Sequence, residues 1–156
     1  MSGDRTPRPL LVTRFNESAP RLSPDGQWMA YVSNESGQDE VYVRPFPSMS
    51  GRWQVSSGGG TEPVWSRDGR ELFYRDRDRL VEARVSASPS GTVFTVAGRR
   101  QLLAGRYASG GLHAGYDVHP DGQRFLMVDP VEDRQSIIVV VNWFADLRER
   151  IASARR

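Results

Sequence analysis

One short sequence occurs three times in this chain and ends each time in Asp-Gly. The copies are residues 23–26, 66–69 and 119–122, which read SPDG, SRDG and HPDG. Asp-Gly between two alternating apolar runs indicates a β-hairpin, because glycine accepts the positive φ that the turn requires. We therefore predict structural turn residues at these positions: Asp25, Gly26, Asp68, Gly69, Asp121 and Gly122.

Apolar residues keep constant distances from each turn aspartate. Four residues after it stand Met29, Leu72 and Phe125, and six residues after it stand Tyr31, Tyr74 and Met127. Positions two apart share one face of a strand, so the second strand of each repeat presents the same face. Matched positions this far from the turn favour repeated blades over the alternative, a β-sandwich or meander whose hairpins share a turn type.

Further apolar runs supply more strands to each repeat. A third strand is predicted at residues 40–44, 80–85 and 136–142, and a fourth at residues 52–56 and 100–104. Four antiparallel strands in roughly 40–45 residues are typical of a β-propeller blade, so the predicted fold class is all-β. The second spacing between turns is longer than the first, and we predict the extra residues in loops around residues 86–98 and 105–115.

The two ends of the chain carry unmatched parts of a blade. Residues 9–15, PLLVTRF, match residues 101–107, QLLAGRY, which fall on a fourth strand. The N-terminal copy is therefore predicted to be a closing strand for the third blade, which shows no fourth strand of its own. After that blade, Asn142 suits a helix N-cap and an apolar stripe follows, which predicts a short C-terminal helix.

We expect the following divisions: an N-terminal tail (1–8); three propeller blades (9–142), with the closing strand at 9–15, blade 1 at 16–56, blade 2 at 57–104 and blade 3 at 115–142; and a C-terminal helix and tail (143–156). Three blades do not close a ring, since propellers have about four to eight. Two chains related by a twofold axis would give six blades, with each N-terminal strand completing the third blade of the other chain. The predicted partner is thus a second copy, in a homodimer by strand exchange. The alternative is that earlier blades of a longer parent chain take this place.

Residues 15–37, 41–47 and 58–74 resemble the TolB-like, Pro-Asp-Gly repeat branch of WD-like β-propellers. Residues 116–127 and 139–144 are similar to the C-terminal propeller part of bacterial serine/threonine kinase–propeller fusion proteins. The resemblance implies a noncatalytic module that senses or binds, as a sensor or scaffold part of a signalling or periplasmic protein. Related propellers also cap prolyl-oligopeptidase-type proteases, and a full-length parent could carry a kinase or peptidase domain that these residues do not contain.

Several catalytic classes lack their residues in this sequence. All 21 basic residues are arginine and no cysteine is present, which excludes lysine-based and thiolate mechanisms. No Gly-x-Ser-x-Gly elbow occurs, and His119 holds the position of Ser23 and Ser66, which predicts a turn residue. We therefore predict no catalytic residue, no cofactor and no metal ion. A hydrolase or lyase that uses acidic residues in the channel is the enzymatic alternative.

Charge and hydropathy narrow the expected partners. The formal net charge of +2 predicts no nucleic-acid binding. No run of about 18 apolar residues is present, so no membrane partner is expected. Residues 1–10 lack the pattern of a signal peptide, which predicts a soluble chain. The location is left open between cytoplasmic, as the sequence is written, and periplasmic, as part of a longer parent.

The end of the ring that carries the connections into the first strands is the predicted functional surface. Innermost strands line the channel of a propeller, where polar side chains from several blades converge. The candidate ligand-binding residues on this surface are Arg21, Glu17, Glu62, His113 and Asp117. The predicted function is noncatalytic binding of a protein, a peptide or a small ligand. The alternatives are an ordinary polar rim and a self-assembling half-propeller that binds no ligand.

Overall fold

The computed structural model describes residues 6–88, 92–111, 113–131 and 134–140. These residues form three antiparallel sheets and no helix. The first sheet contains β1 (Glu17–Leu22), β2 (Trp28–Ser33), β3 (Glu40–Pro45) and β4 (Trp53–Gln54). The second contains β5 (Thr61–Trp65), β6 (Glu71–Asp76), β7 (Arg79–Ala87) and β8 (Phe94–Ala104). The third contains β9 (Tyr116–Val118), β10 (Phe125–Val131) and β11 (Arg134–Val140).

Strands that follow one another in the chain are neighbours in each sheet, as the prediction of propeller blades requires. Each Asp-Gly turn joins the first two strands of its sheet, and Gly26, Gly69 and Gly122 have φ values of 70°, 73° and 68°. In blade 1 the Ser23 hydroxyl donates to Asp25 Oδ1 at 2.5 Å and accepts the N–H of Trp28 at 3.0 Å. The glycine of each Asp-Gly pair thus has the positive φ that the turn requires.

The middle strands of blade 2 are largely buried on both faces, because this blade packs between blades 1 and 3. The interface of blades 1 and 2 contains these buried residues: Trp28, Ala30, Val32, Val41, Val43, Leu72, Tyr74, Val81, Ala83, Val85 and Phe94. The interface of blades 2 and 3 contains Phe73, Leu80, Leu102, Tyr116, Phe125 and Met127. Successive residues of β6 thus face opposite blades, which explains the constant spacing of apolar residues after each turn.

Aromatic rings are concentrated in the interface of blades 1 and 2. The ring centroid of Trp28 lies 5.5 Å from that of Trp53 and 5.1 Å from that of Phe94. Trp65 meets Phe94 edge to face at 6.3 Å. Among the residues that the structure describes, the interface of blades 2 and 3 has one such pair, Phe73 and Phe125, at 5.3 Å. Each large ring removes much apolar surface from water, so these contacts hold the blades together.

Three predictions about the ends and loops differ from the structure or lie outside it. Residues 94–99 belong to β8 and residues 86–87 to β7, so much of the extra length in blade 2 extends a hairpin instead of a loop. Residues 9–15 form no strand within the single chain, and three strands are described in the third sheet. The predicted C-terminal helix at 143–156 lies outside the described residues. Among the described residues, no helix suited to crossing a membrane is found.

Candidate functional site

Glu62 is buried, with 2 % of its surface exposed, although it was predicted to lie on the ligand-binding rim. Its carboxylate accepts hydrogen bonds from Ser109 Oγ at 2.5 Å and from the N–H groups of Gly110 at 3.1 Å and Gly115 at 2.7 Å. We call these four residues the Glu62 clamp. Because the carboxylate has three donors, its burial is compensated. The clamp fastens β5 to the connection that leads into blade 3.

The backbone around the clamp explains how Glu62 reaches this position. Glu62 has a φ of 55° at an irregular point in the β5–β6 register, and such a bulge redirects a side chain. The connection is tight, since a Cβ built on Gly110 would lie 1.9 Å from the carbonyl oxygen of His113. Tyr116 donates its hydroxyl to the Glu62 carbonyl at 2.8 Å. Burial, and then the Glu62 charge, raise the pKa of Tyr116 well above 10.0.

The other four predicted rim residues do not gather around a ligand cavity. Glu17 accepts a hydrogen bond from Thr13 at 2.7 Å, and the Arg21 carbonyl accepts one from the Trp65 indole at 3.1 Å. His113 and Asp117 are exposed. Asp117 borders a shallow cleft of about 310 Å³ beside His119 and Phe125, while the other three lie outside it. The charges of Glu62, Arg21 and Asp117 all act on the pKa of the buried Tyr116, so the structure brings three of the five predicted residues near one another.

A larger cleft opens at the opposite end of blades 1 and 2, between their Asp-Gly turns. It measures about 790 Å³, and we call it the turn-end cleft. Its apolar lining consists of Trp28, Trp65, Val85 and Phe94, and its charged lining of Asp25, Arg67, Asp68, Arg70, Glu71 and Arg84. Trp28 and Phe94 are buried while Trp65 is partly exposed. The cleft combines an aromatic floor with a rim of both charge signs.

The two turn aspartates give the rim fixed negative charges. The Ser23 hydroxyl, followed by the N–H of Gln27, lowers the pKa of Asp25 below 3.8. Burial acts to raise the pKa of Asp68, but the N–H of Arg70 and the Ser66 hydroxyl outweigh it and lower that pKa below 3.8. Both carboxylates are therefore ionised at neutral pH, next to the arginines of the same rim.

A second cleft of about 630 Å³ lies between the turns of blades 2 and 3. Glu82 lines it, with 8 % of its side chain exposed, and accepts hydrogen bonds from Arg100 at 2.6 Å and Arg84 at 3.4 Å. Phe73 is its aromatic contact, and residues 120–123 of the third turn form the opposite side. This cleft is polar where the turn-end cleft is aromatic. The charges of Glu82, Arg84 and Arg100 are paired with one another.

Neither cleft was predicted from the sequence, although a signal for the turn-end cleft was present. Trp65 stands three residues before Asp68, and Trp28 stands three residues after Asp25. The turns were interpreted as structural residues, and the sequence does not show that two turns from adjacent blades border one cleft. His119 is a turn residue as predicted, since its carbonyl accepts the N–H of Gly122 at 2.8 Å. No metal-binding group of three His, Asp or Glu residues occurs in the part of the chain that the structure describes.

Four-stranded antiparallel blades packed face to face define the chain as a β-propeller protein. It is similar to the putative TolB from Agrobacterium tumefaciens, with a TM-score of 0.59 and 15 % identity over 84 % of this chain and 48 % of that one. It is also similar to the oligogalacturonate lyase of Vibrio parahaemolyticus, with a TM-score of 0.57 and 12 % identity over 80 % of this chain and 32 % of that one. The predicted resemblance to TolB-like propellers is confirmed for the fold.

Sequence comparison gives a shorter match. Residues of this chain are 33 % identical over 82 positions to dipeptidyl aminopeptidase BI of Pseudoxanthomonas mexicana, which covers 50 % of this chain and 11 % of that protein. No family model matches the chain. The chain thus spans less than half the length of each of these three proteins.

Proposed function

We propose that this chain is a noncatalytic β-propeller module that binds a peptide segment of a partner protein in the turn-end cleft. The observation that carries the proposal is the partly exposed Trp65 on an aromatic floor, enclosed by charged residues of both signs. A small number of aromatic anchors with a polar rim is typical of protein recognition sites. Within a larger bacterial protein, such a module would act as a sensor or scaffold.

The geometry of the turn-end cleft suggests what kind of peptide fits. An apolar side chain would rest against Trp65, where contact with the ring displaces water. Arg67, Arg84 and the two turn aspartates, which all line the cleft, would orient charged residues that flank it. The curated relative is named as a dipeptidyl aminopeptidase, which supports peptides as the ligand class. We therefore expect an apolar residue between charged neighbours to be preferred.

The proposal is tested by screening the purified chain against random linear peptides and measuring the affinity of selected sequences by fluorescence anisotropy. Arg67→Ala with Arg84→Ala should weaken binding about tenfold, which corresponds to ~1.4 kcal/mol. Arg106→Ala is the matched control, because Arg106 is exposed and lies outside the cleft lining. Absence of any micromolar ligand, or equal affinity in all variants, would overturn the proposal.

A second candidate function is self-assembly, which a different observation favours. Three strands are described in the third sheet, whereas the other two have four, and residues 9–15 resemble a fourth strand in sequence. A half-propeller that associates with another copy would be a structural unit whether or not it also binds a peptide.

A further inference from the structure

We infer that two copies of this chain complete each other, with residues 9–12 of one copy pairing along the edge of β11 in the other that no described strand occupies. This inference rests on sheet order and register, and it is independent of the turn-end cleft. It concerns an interaction surface whose partner is a second copy of the same chain.

The order of strands shows where residues 9–15 belong. The strand before β5 is β4, which lies in the first sheet, and the strand before β9 is β8, which lies in the second sheet. In both cases the strand that precedes an innermost strand belongs to the preceding blade. Residues 9–15 precede β1, so by the same rule they belong to a blade that comes before the first. Three blades of a second copy supply such a blade in a closed ring.

Exposure of the N-terminal segment agrees with a missing partner. Leu102 in β8 is 5 % exposed and packs between blades 2 and 3. Its match in the N-terminal segment, Leu10, is 50 % exposed, and Val12 is 81 % exposed. Leu102 is thus buried in a strand that pairs with a sheet, and its match Leu10 is exposed in a segment that forms no strand. Burying Leu10 would remove apolar surface from water.

The third blade offers both an edge and a face to a second copy. Among the described strands, β11 pairs with β10 on one side, and its other edge corresponds to the position that β8 occupies in blade 2. An open edge of this kind accepts an extended segment. Leu126 stands five residues after its turn aspartate, as Ala30 and Phe73 do. Those two are 0 % and 1 % exposed, whereas Leu126 is 40 % exposed.

The pairing register can be transferred from blade 2. Tyr74 pairs with Val81 and Met127 pairs with Ile138, so Val81 and Ile138 hold equivalent positions. In blade 2, Leu80 pairs with Leu103 and Arg79 with Ala104. Residues 103 and 104 match residues 11 and 12. Leu11 should therefore lie opposite Ile137 of the second copy, and Val12 opposite Ser136 of the second copy.

Hydrogen bonding in blade 2 also shows which backbone N–H groups of residues 9–12 should point toward β11 of the second copy. Gly105 donates its N–H to the carbonyl of Asp78 at 2.9 Å. Because alternate residues of a strand bond to the same neighbour, Leu103 and its match Leu11 point their N–H toward the paired strand. The N–H groups of Ala104 and of its match Val12 point away from the paired strand. Val12 and Ser136 thus form a non-hydrogen-bonded pair, in which the Cα atoms are closer and a disulfide is geometrically accessible.

Cysteine cross-linking tests this register, since the chain contains no cysteine of its own. Val12→Cys with Ser136→Cys should give a covalent dimer, at twice the chain mass, in non-reducing electrophoresis after mild oxidation. Val12→Cys with Gln135→Cys is the out-of-register control. It should run at the mass of one chain in the same electrophoresis, because a shift by one residue points the side chain to the other face. A disulfide at the monomer mass would show closure within one chain and would overturn the inference.

A second measurement does not depend on introduced cysteines. Light scattering of the unmodified chain at micromolar concentration should give twice the mass of one chain. Leu11→Pro removes a donor that points at the partner and should halve that mass, whereas Val12→Pro removes one that points away and should leave it unchanged. A monomeric unmodified chain, or equal masses for the two proline variants, contradicts strand exchange.

Discussion

The connection from blade 1 to blade 2 and the connection from blade 2 to blade 3 are each held by a buried glutamate, but the two glutamates occupy different places. Glu40, at the start of β3, accepts the N–H groups of Gly58 at 2.9 Å and Gly59 at 3.0 Å and bonds the Ser56 hydroxyl. Glu62, in β5, holds the longer connection through its clamp. A connection without secondary structure needs an acceptor for its N–H groups. In both cases the preceding blade supplies it, from the third strand of blade 1 and from the first strand of blade 2.

The surroundings of the two connections differ as well. The interface of blades 1 and 2 contains the Trp28, Trp53 and Phe94 rings. Among the described residues, the interface of blades 2 and 3 has a single pair of phenylalanine rings, together with the Glu62 clamp and the hydrogen bond from the Tyr116 hydroxyl to the Glu62 carbonyl. Blades 1 and 2 are therefore joined mainly by apolar contact, and blades 2 and 3 depend more on satisfied polar groups. Blades built from one repeat can therefore be joined mainly by apolar contact or more by satisfied polar groups.

The largest expected effect on stability comes from the aromatic rings in the interface of blades 1 and 2. Trp28→Ala should lower the free energy of unfolding by about 3–5 kcal/mol, because a buried indole is replaced by a cavity. Urea unfolding followed by circular dichroism measures this change. Trp53→Ala should cost less, since Trp53 is only partly buried at the edge of the same cluster. Equal and small losses in both variants would show that apolar contact is not what joins blades 1 and 2.

The next effect distinguishes the two glutamates. Glu62→Ala should cost roughly 2–4 kcal/mol, because buried donors lose their acceptor, and Glu40→Ala should cost a similar amount. Amide hydrogen exchange locates the change. Gly110 and Gly115 should exchange faster in the Glu62 variant, and Gly58 and Gly59 in the Glu40 variant. If either variant accelerated exchange in both connections, the two glutamates would not hold their connections independently.

The predictability of these features from sequence differs between the turns and the clamps. The Asp-Gly turns and the apolar spacing are local, so they indicated the blades correctly. Glu62 was recognised as a polar residue entering a first strand, but its burial depends on residues 109–115 folding back over it. The β7–β8 hairpin was interpreted in part as a loop, because the pairing of Val85 with Val96 depends on contacts that the residues between them do not show. Both the burial of Glu62 and the length of the β7–β8 hairpin depend on long-range contacts, which is why neither was predicted from the sequence.

The smallest expected effect concerns pH. The N–H of Gln123 is the strongest influence on Asp121, and with the Arg124 guanidinium it outweighs desolvation and lowers the pKa of that carboxyl from 3.8 to about 2. A carboxyl whose pKa is lower in the folded state stabilises it above pH 3.8, and that contribution is lost as the pH falls toward about 2. The free energy of unfolding should therefore decrease over this acid range.

Asparagine variants compare the turns of the two interfaces in the same experiment. Asp121→Asn should flatten the pH dependence of urea unfolding more than Asp25→Asn, and a carboxyl-carbon NMR titration should place the pKa of Asp121 near 2. Stability that rises on acidification, or an Asp121 carboxyl that titrates at its ordinary value, would contradict the hydrogen bonding described for this turn.

The alternation of β6 between two neighbouring blades has a consequence for how this protein can vary. Leu72, Phe73, Tyr74 and Arg75 are four consecutive residues with at most 4 % of their surface exposed. A change at any one of them must be accommodated by a different blade from a change at the next. Substitutions should accumulate in residues 67–70 of the turn, where most side chains are exposed, while the strand that follows changes only in concert with both neighbours. Mutational tolerance should therefore change sharply at Leu72, one residue after β6 begins.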